Sequence, residues 1–149
     1  MAQPVCVLLV EDNPADAELT RDALIESRLH IDFQVVGDGE QALSYLRREG
    51  QHSAAPIPDL VILDLNLPRV DGREVLAEMK KDVKLKLIPV VVLTSSQADE
   101  DILASYSLGA NCYVKKPLDL AAFQKIVNAV KEFWFTIVKL PNTGINSGG

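Results

Sequence analysis

The sequence is short of several things, and each shortage removes a class of answer. Its 149 residues include 2 cysteines, Cys6 and Cys112, both set among apolar or strand-like neighbours. That is too few for a disulfide scaffold or a thiolate metal site, so both read as buried free thiols. Basic residues are in the minority, 15 Lys and Arg against 21 Asp and Glu. The resulting net charge of −6 argues against a nucleic-acid surface, which needs a basic face. No apolar run reaches membrane-spanning length, and the N-terminus has neither the basic nor the apolar region of a signal peptide. A cytoplasmic protein that binds neither nucleic acid nor membrane is expected. The 2 histidines, His30 and His52, stand outside every motif and read as exposed loop residues.

What is present is aliphatic. A hydrophobic share of 48% suits one domain with a substantial core, placed here at residues 1–140, with 141–149 as a disordered tail. Short apolar runs recur five times, at Val5–Val10, Asp32–Gly37, Asp59–Asp64, Pro89–Thr94 and Asn111–Lys115. The first, third and fourth are nearly unbroken in Val, Leu and Ile, as parallel strands covered on both faces should be. The second alternates and reads as an edge strand. Amphipathic stretches lie between the runs. Asn13-Pro14 reads as cap and first position of one helix, Ser96 and Asp119 as caps of later ones, and Gly109 as a stop. The stretch from Arg48 to Asp59 reads as the longest loop. Strand–helix alternation of this kind predicts an α/β fold, a doubly wound five-stranded parallel sheet.

Ligands of such sheets collect at the carboxyl ends of the strands. Here those ends hold Glu11-Asp12, Asp64, Thr94-Ser95 and Lys115-Lys116-Pro117. A strand-end carboxylate alone is more often a cap or a solvated loop residue. Three carboxylates on one edge repel each other, and a divalent cation removes that cost. Mg²⁺ favours an oxygen shell drawn from one or two carboxylates, waters and phosphate oxygens. The acidic set therefore predicts a metal site next to a phosphoryl group. Asp64 reads as the nucleophile, Lys116 as a point charge on the phosphoryl oxygens, and Thr94 (with Ser95 beside it) as a hydroxyl donor to them.

Taken together, "VEDN", "ILDLNLPRVDG", "VVVLTSS" and "YVKKPLD" resemble the receiver domain of two-component response regulators, over about residues 5–138. The resemblance implies a (βα)5 flavodoxin-like fold with strand order 2-1-3-4-5. It also implies phosphorylation of Asp64 by a phosphohistidine of a sensor histidine kinase, with Mg²⁺ as cofactor and Mn²⁺ as a possible substitute. By motif position, Asp12 would ligate the metal directly, Glu11 through water, and Asn66 by its backbone carbonyl. Thr94 and Tyr113 would form a switch pair, and Lys116 would bind phosphate, joined to Pro117 by a cis peptide. The strings "DGREVLAEMK", "NCYVKKP" and "EFWFTIVKLP" resemble more narrowly the small receivers paired with cyanobacterial phytochrome kinases.

The last helix carries more apolar residues than one core-facing stripe requires. Beside Phe123, Ile126, Val130, Phe133, Ile137 and Leu140 runs a second stripe of Val127, Trp134 and Val138. Extra exposed apolar side chains there would be ordinary, but their clustering favours a homodimer surface made of Val127, Phe133, Trp134 and Val138. Only nine residues follow Leu140. A stand-alone receiver is therefore expected, signalling through a downstream effector it binds or a phosphotransferase it feeds. Two readings compete. A Mg²⁺-dependent phosphohydrolase with an aspartyl nucleophile would want an acid where Asn66 stands. A flavodoxin-like cofactor module would want a phosphate-cradling loop where Glu11-Asp12 stand.

Overall fold

The computed structural model describes residues 5–26, 30–65, 67, 69–94, 109–110, 112–115, 121 and 124. Five parallel strands form one sheet: β1 (Val5–Val10), β2 (Ile31–Val36), β3 (Leu60–Asp64), β4 (Val90–Thr94) and β5 (Cys112–Lys115), in the order β2-β1-β3-β4-β5. Described helices are α1 (Pro14–Glu26), α2 (Gly39–Arg47) and α3 (Gly72–Lys81). The expected order and the parallel pairing are both present. β2 lies at an edge, and its residues alternate between covered and exposed over most of its length.

β3 is buried at all five positions, and Val90 to Leu93 of β4 are buried too, because helices cover both faces of the sheet. Alternation along the strands divides the core in two. Leu8, Val10, Val61, Leu63, Val90 and Val92 pack with Ala42, Tyr45 and Leu46 of α2 and with Val75, Leu76 and Met79 of α3. Val7, Leu9, Leu60, Ile62, Val91, Leu93 and Val114 point the other way, onto Ala23 and Leu24 of α1. The apolar residues of α2 and α3 recur at spacings of three and four, so each helix needs only one stripe.

Helix starts follow the capping chemistry. Asn13 Oδ1 accepts from the Ala15 and Asp16 N–H groups at 2.9 and 3.1 Å, as Asn13-Pro14 implies. Asp38 Oδ1 accepts from Gln41 N–H at 2.7 Å, and Asp71 Oδ1 from Arg73 N–H at 2.7 Å. Both of these cap residues precede a glycine. At Gly39 a Cβ would lie 2.7 Å from the Val70 carbonyl carbon, and at Gly72 a Cβ would lie 2.7 Å from Leu65 Cα. The first turns of α2 and α3 are therefore pressed against backbone, and glycine is the residue that fits.

Three expectations need correcting. The stretch after α2 is not a plain loop: Arg48 turns left-handed at φ 57°, and Gly50–His52 form a 3-10 turn. That turn brings the His52 ring to 5.3 Å from Tyr45, so His52 is half-buried while His30 is exposed as expected. Cys6 is a free thiol but only half-buried, between the buried Val5 and Val7. Burial and the nearby Asp59 and Asp32 carboxylates push its thiol pKa up, which disfavours the thiolate. The side chain of Cys112 lies outside the described residues, as do the caps expected at Ser96 and Asp119 and the stretch 125–149.

Candidate functional site

β1 and β3 deliver the acidic residues to one place. Val10 pairs with Leu63 in the parallel register, so the next residues along, Glu11 and Asp64, end neighbouring strands side by side. Glu11 N–H still donates to Val36 O at 3.0 Å, which holds its backbone to the sheet. Asp64 pairs with Leu93 of β4, and Leu65 N–H donates to Leu93 O at 3.3 Å. Alternation puts Glu11 with Leu9 and Asp64 with Ile62, both on the α1 side of the sheet.

Carboxylate oxygens of Glu11, Asp12 and Asp64 lie within 4.8 Å of one another. Glu11 and Asp64 are only 3% and 4% exposed, whereas Asp12 is exposed. Like charges at that separation repel by roughly 3 kcal/mol per pair at an effective dielectric of about 20. Compensating positive charge relieves that repulsion. Part of the local order comes from α1: Glu11 Oε2 accepts from Asn13 N–H at 3.2 Å, just before the positive end of the helix dipole. Three hard oxygen donors, two in a covered recess and one open to water, fit a small divalent cation that keeps part of its hydration shell.

The loop after Asp64 is held from below. Gly72 N–H donates to Leu65 O at 3.0 Å, and the α3 start presses on the backbone just past the carboxylate. Arg69 in the same loop adopts φ 68°, uncommon for a residue with a Cβ. Its guanidinium reaches Asp38 Oδ2 at 3.5 Å and Glu40 Oε1 at 3.6 Å, at the start of α2. These contacts were not legible from the motifs. The one available signal was the Asp-Gly pair that opens both α2 and α3.

Of the expected site residues, the structure brings together Glu11, Asp12 and Asp64. Thr94 ends β4 opposite Lys115 of β5, and Tyr113 pairs with Val92, so the backbones of both expected switch residues are on the strands foreseen for them. Their side chains lie outside the description. Asn66, Ser95, Lys116, Pro117, Val127, Phe133, Trp134 and Val138 lie outside the described residues.

Comparison with known proteins decides the family. The sequence profile of the response regulator receiver domain matches residues 7–128. This chain belongs to the response regulator receiver family. The receiver is 44% identical over 138 residues to response regulator Rcp1 of Synechocystis sp., covering 93% of this chain and 94% of Rcp1. Its fold is similar to that of the Mn²⁺-bound form of Rcp1, with a TM-score of 0.76 and coverage of 93% of this chain and 99% of the other. It is also similar to the phosphorylated cyanobacterial phytochrome response regulator RcpA. That match has 47% identity, a TM-score of 0.77, and the same 93% and 99% coverage. Mg²⁺ is the cofactor of receiver domains, and the oxygen donors gathered at the rim of this receiver suit it. Among the described residues no helix is long and apolar enough to cross a membrane.

Proposed function

We propose that this receiver accepts a phosphoryl group on Asp64 from a phosphohistidine of a sensor histidine kinase, and that the kinase is a phytochrome. The observation that carries the reading is the meeting of Glu11, Asp12 and Asp64 within 4.8 Å at the strand ends of a receiver fold. The relationship to Rcp1 and to RcpA supports the choice of kinase. A carboxylate oxygen of Asp64 forms a bond to phosphorus as the phosphorus–nitrogen bond of the phosphohistidine breaks. The electron pair stays with the ring nitrogen, and the imidazole leaves neutral because its other ring nitrogen carries a proton. Positioning and charge neutralisation are most of what such a transfer requires.

Asp12 and Asp64 would hold Mg²⁺ directly, Glu11 through water and Asn66 through its carbonyl. The bound cation supplies charge neutralisation for the incoming phosphoryl oxygens. Lys116, Thr94 and Ser95 would bind those oxygens, and Thr94 with Tyr113 would pass the change to the neighbouring surface. The protein is then a signalling component rather than a turnover enzyme. It works in the cytoplasm and hands its signal to an effector or a phosphotransferase. The match over 7–128 supports reading residues 1–140 as one domain. Clustered apolar residues in the last segment support a homodimer through Val127, Phe133, Trp134 and Val138; a monomeric mass by light scattering, with and without phosphorylation, would refute it.

Phosphoryl uptake in Mg²⁺ tests the central claim, first from a small phosphodonor and then from a purified phytochrome kinase. Acid-labile phosphate that is absent in Asp64→Asn is the expected result. No uptake by the wild type from either donor would overturn the reading, and uptake from the small donor alone would overturn the phytochrome pairing.

A further inference from the structure

β2 and β3 flank β1, and the loops that leave them meet above its end. Arg69, from the loop after β3, pairs with Asp38 and Glu40 at the start of α2 at 3.5 and 3.6 Å. Next to it Val70 packs its backbone against Gly39, where a Cβ would come within 2.7 Å of the Val70 carbonyl carbon. Asp38 does two jobs there. One oxygen caps α2 through Gln41 N–H at 2.7 Å and the other faces Arg69. Arg69 itself holds φ 68°, a conformation that a residue with a Cβ keeps only when its surroundings impose it. Together these contacts make a strap from α2 to the Asp64 loop, passing over the strand that ends in Glu11 and Asp12.

We infer that Arg69 is a positioning residue, whose ion pairs with Asp38 and Glu40 hold the loop after Asp64 in the shape that binds the divalent cation. This deepens the receiver reading and rests on it. Simple electrostatics and the strap predict different outcomes. Arg69 adds a positive charge to the loop that follows Asp64, so its removal without any change of shape would leave cation binding unchanged or tighter. If the strap sets the shape, its removal loosens the loop and weakens binding instead.

The test is Mn²⁺ titration of the full chain, followed by calorimetry and by the electron paramagnetic resonance of free Mn²⁺, with thermal unfolding of each variant measured alongside. Arg69→Ala is expected to raise the Mn²⁺ Kd by about three- to fivefold, the range an exposed ion pair can carry. Arg69→Lys should restore most of the affinity. Asp38→Asn keeps the helix cap, because asparagine caps as well as aspartate, yet removes the charge. Combined with Arg69→Ala it should add little to the larger single effect, as coupled residues do. Tighter or unchanged Mn²⁺ binding in Arg69→Ala would overturn the inference, as would simple additivity in the double variant. Should Arg69→Ala fail to fold, the same comparison is made with Arg69→Gln. Wild-type protein that binds no Mn²⁺ would overturn the inference and the reading beneath it together; wild-type binding with no response to Arg69 overturns the inference alone.

Discussion

β3 follows a half-buried carboxylate at one end and carries a buried one at the other, and the two behave differently. Asp59, just before the strand, accepts Cys6 N–H through Oδ2 at 2.9 Å and donates its own N–H to Cys6 O at 2.7 Å. It fastens β1 to β3 at the open end of the sheet. Asp64, five residues on, sits within 4.8 Å of two other carboxylates. Asp59 is half-buried and staples two strands, whereas Asp64 is buried. What marks Asp64 is the company of like charges, which a staple has no reason to keep.

Exchanging each carboxylate for its amide is the sharpest way to break that contrast. Asp64→Asn should abolish phosphoryl uptake, while Asp59→Asn should leave the rate of uptake near the wild-type value, read by acid-labile incorporation. A large rate loss in Asp59→Asn would erase the distinction between the two ends. Next in size is Gly72→Ala, whose new methyl group would meet the backbone at Asp64 and Leu65. Forcing atoms into so tight a place costs about 1–3 kcal/mol. Denaturant unfolding should show that loss, and phosphoryl uptake should slow as well, because the displaced backbone is the one that carries the nucleophile. Asp59→Ala comes third. It strips the Cys6 N–H of its side-chain acceptor, for which about 1–2 kcal/mol is the expected loss of unfolding free energy.

The smallest effects are in the pH dependence, and they have opposite signs. Burial pushes the Asp59 carboxyl up, against the opposing pull of Cys6 N–H. A folded pKa above the unfolded one means that its stabilising share is complete below the unfolded value and is lost as pH rises through the folded value. Asp82, fully exposed at the end of α3, accepts from Leu85 and Lys84 N–H groups, which hold its carboxyl down. Its share is present above the unfolded pKa and is lost as pH falls through the folded one. Relative to wild type, Asp59→Asn should therefore flatten a decline in stability with rising pH, and Asp82→Asn should flatten a decline with falling pH. Thermal unfolding in the acid range checks both slopes, and slopes of the same sign would contradict the assigned causes.

The differences in legibility also have physical causes. Strand runs and their order could be read because a strand covered on both faces must be apolar throughout, as "DLVILD" and "PVVVLT" are. The meeting of Glu11, Asp12 and Asp64 followed from the parallel arrangement, which sends every strand's carboxyl end to one rim. Asn13 was legible because a cap is local. The strap was not, since Arg69 and Asp38 stand 31 residues apart and meet only when β2 and β3 settle on either side of β1. His52 was misjudged for the same reason: its neighbour Tyr45 becomes a neighbour through the turn at Arg48 and Gly50, whose positive φ values no motif announced. Cys6 is half-buried between buried Val5 and Val7, because alternation turns it to the opposite face of the sheet from theirs.

Strand order also has a consequence in time. β1 lies between β2 and β3, β3 lies between β1 and β4, and helices cover both faces of the pair. Amide hydrogens of β1 and β3 have no edge from which to exchange singly, so they await the rarest openings of the molecule, while those of β2 can leave with a brief fraying of the rim strand. Glu11 follows β1 and Asp64 ends β3, two of the three interior strands. The carboxylate pair thus keeps its spacing through the small fluctuations that come and go at the edge, and loses it only when the whole sheet opens.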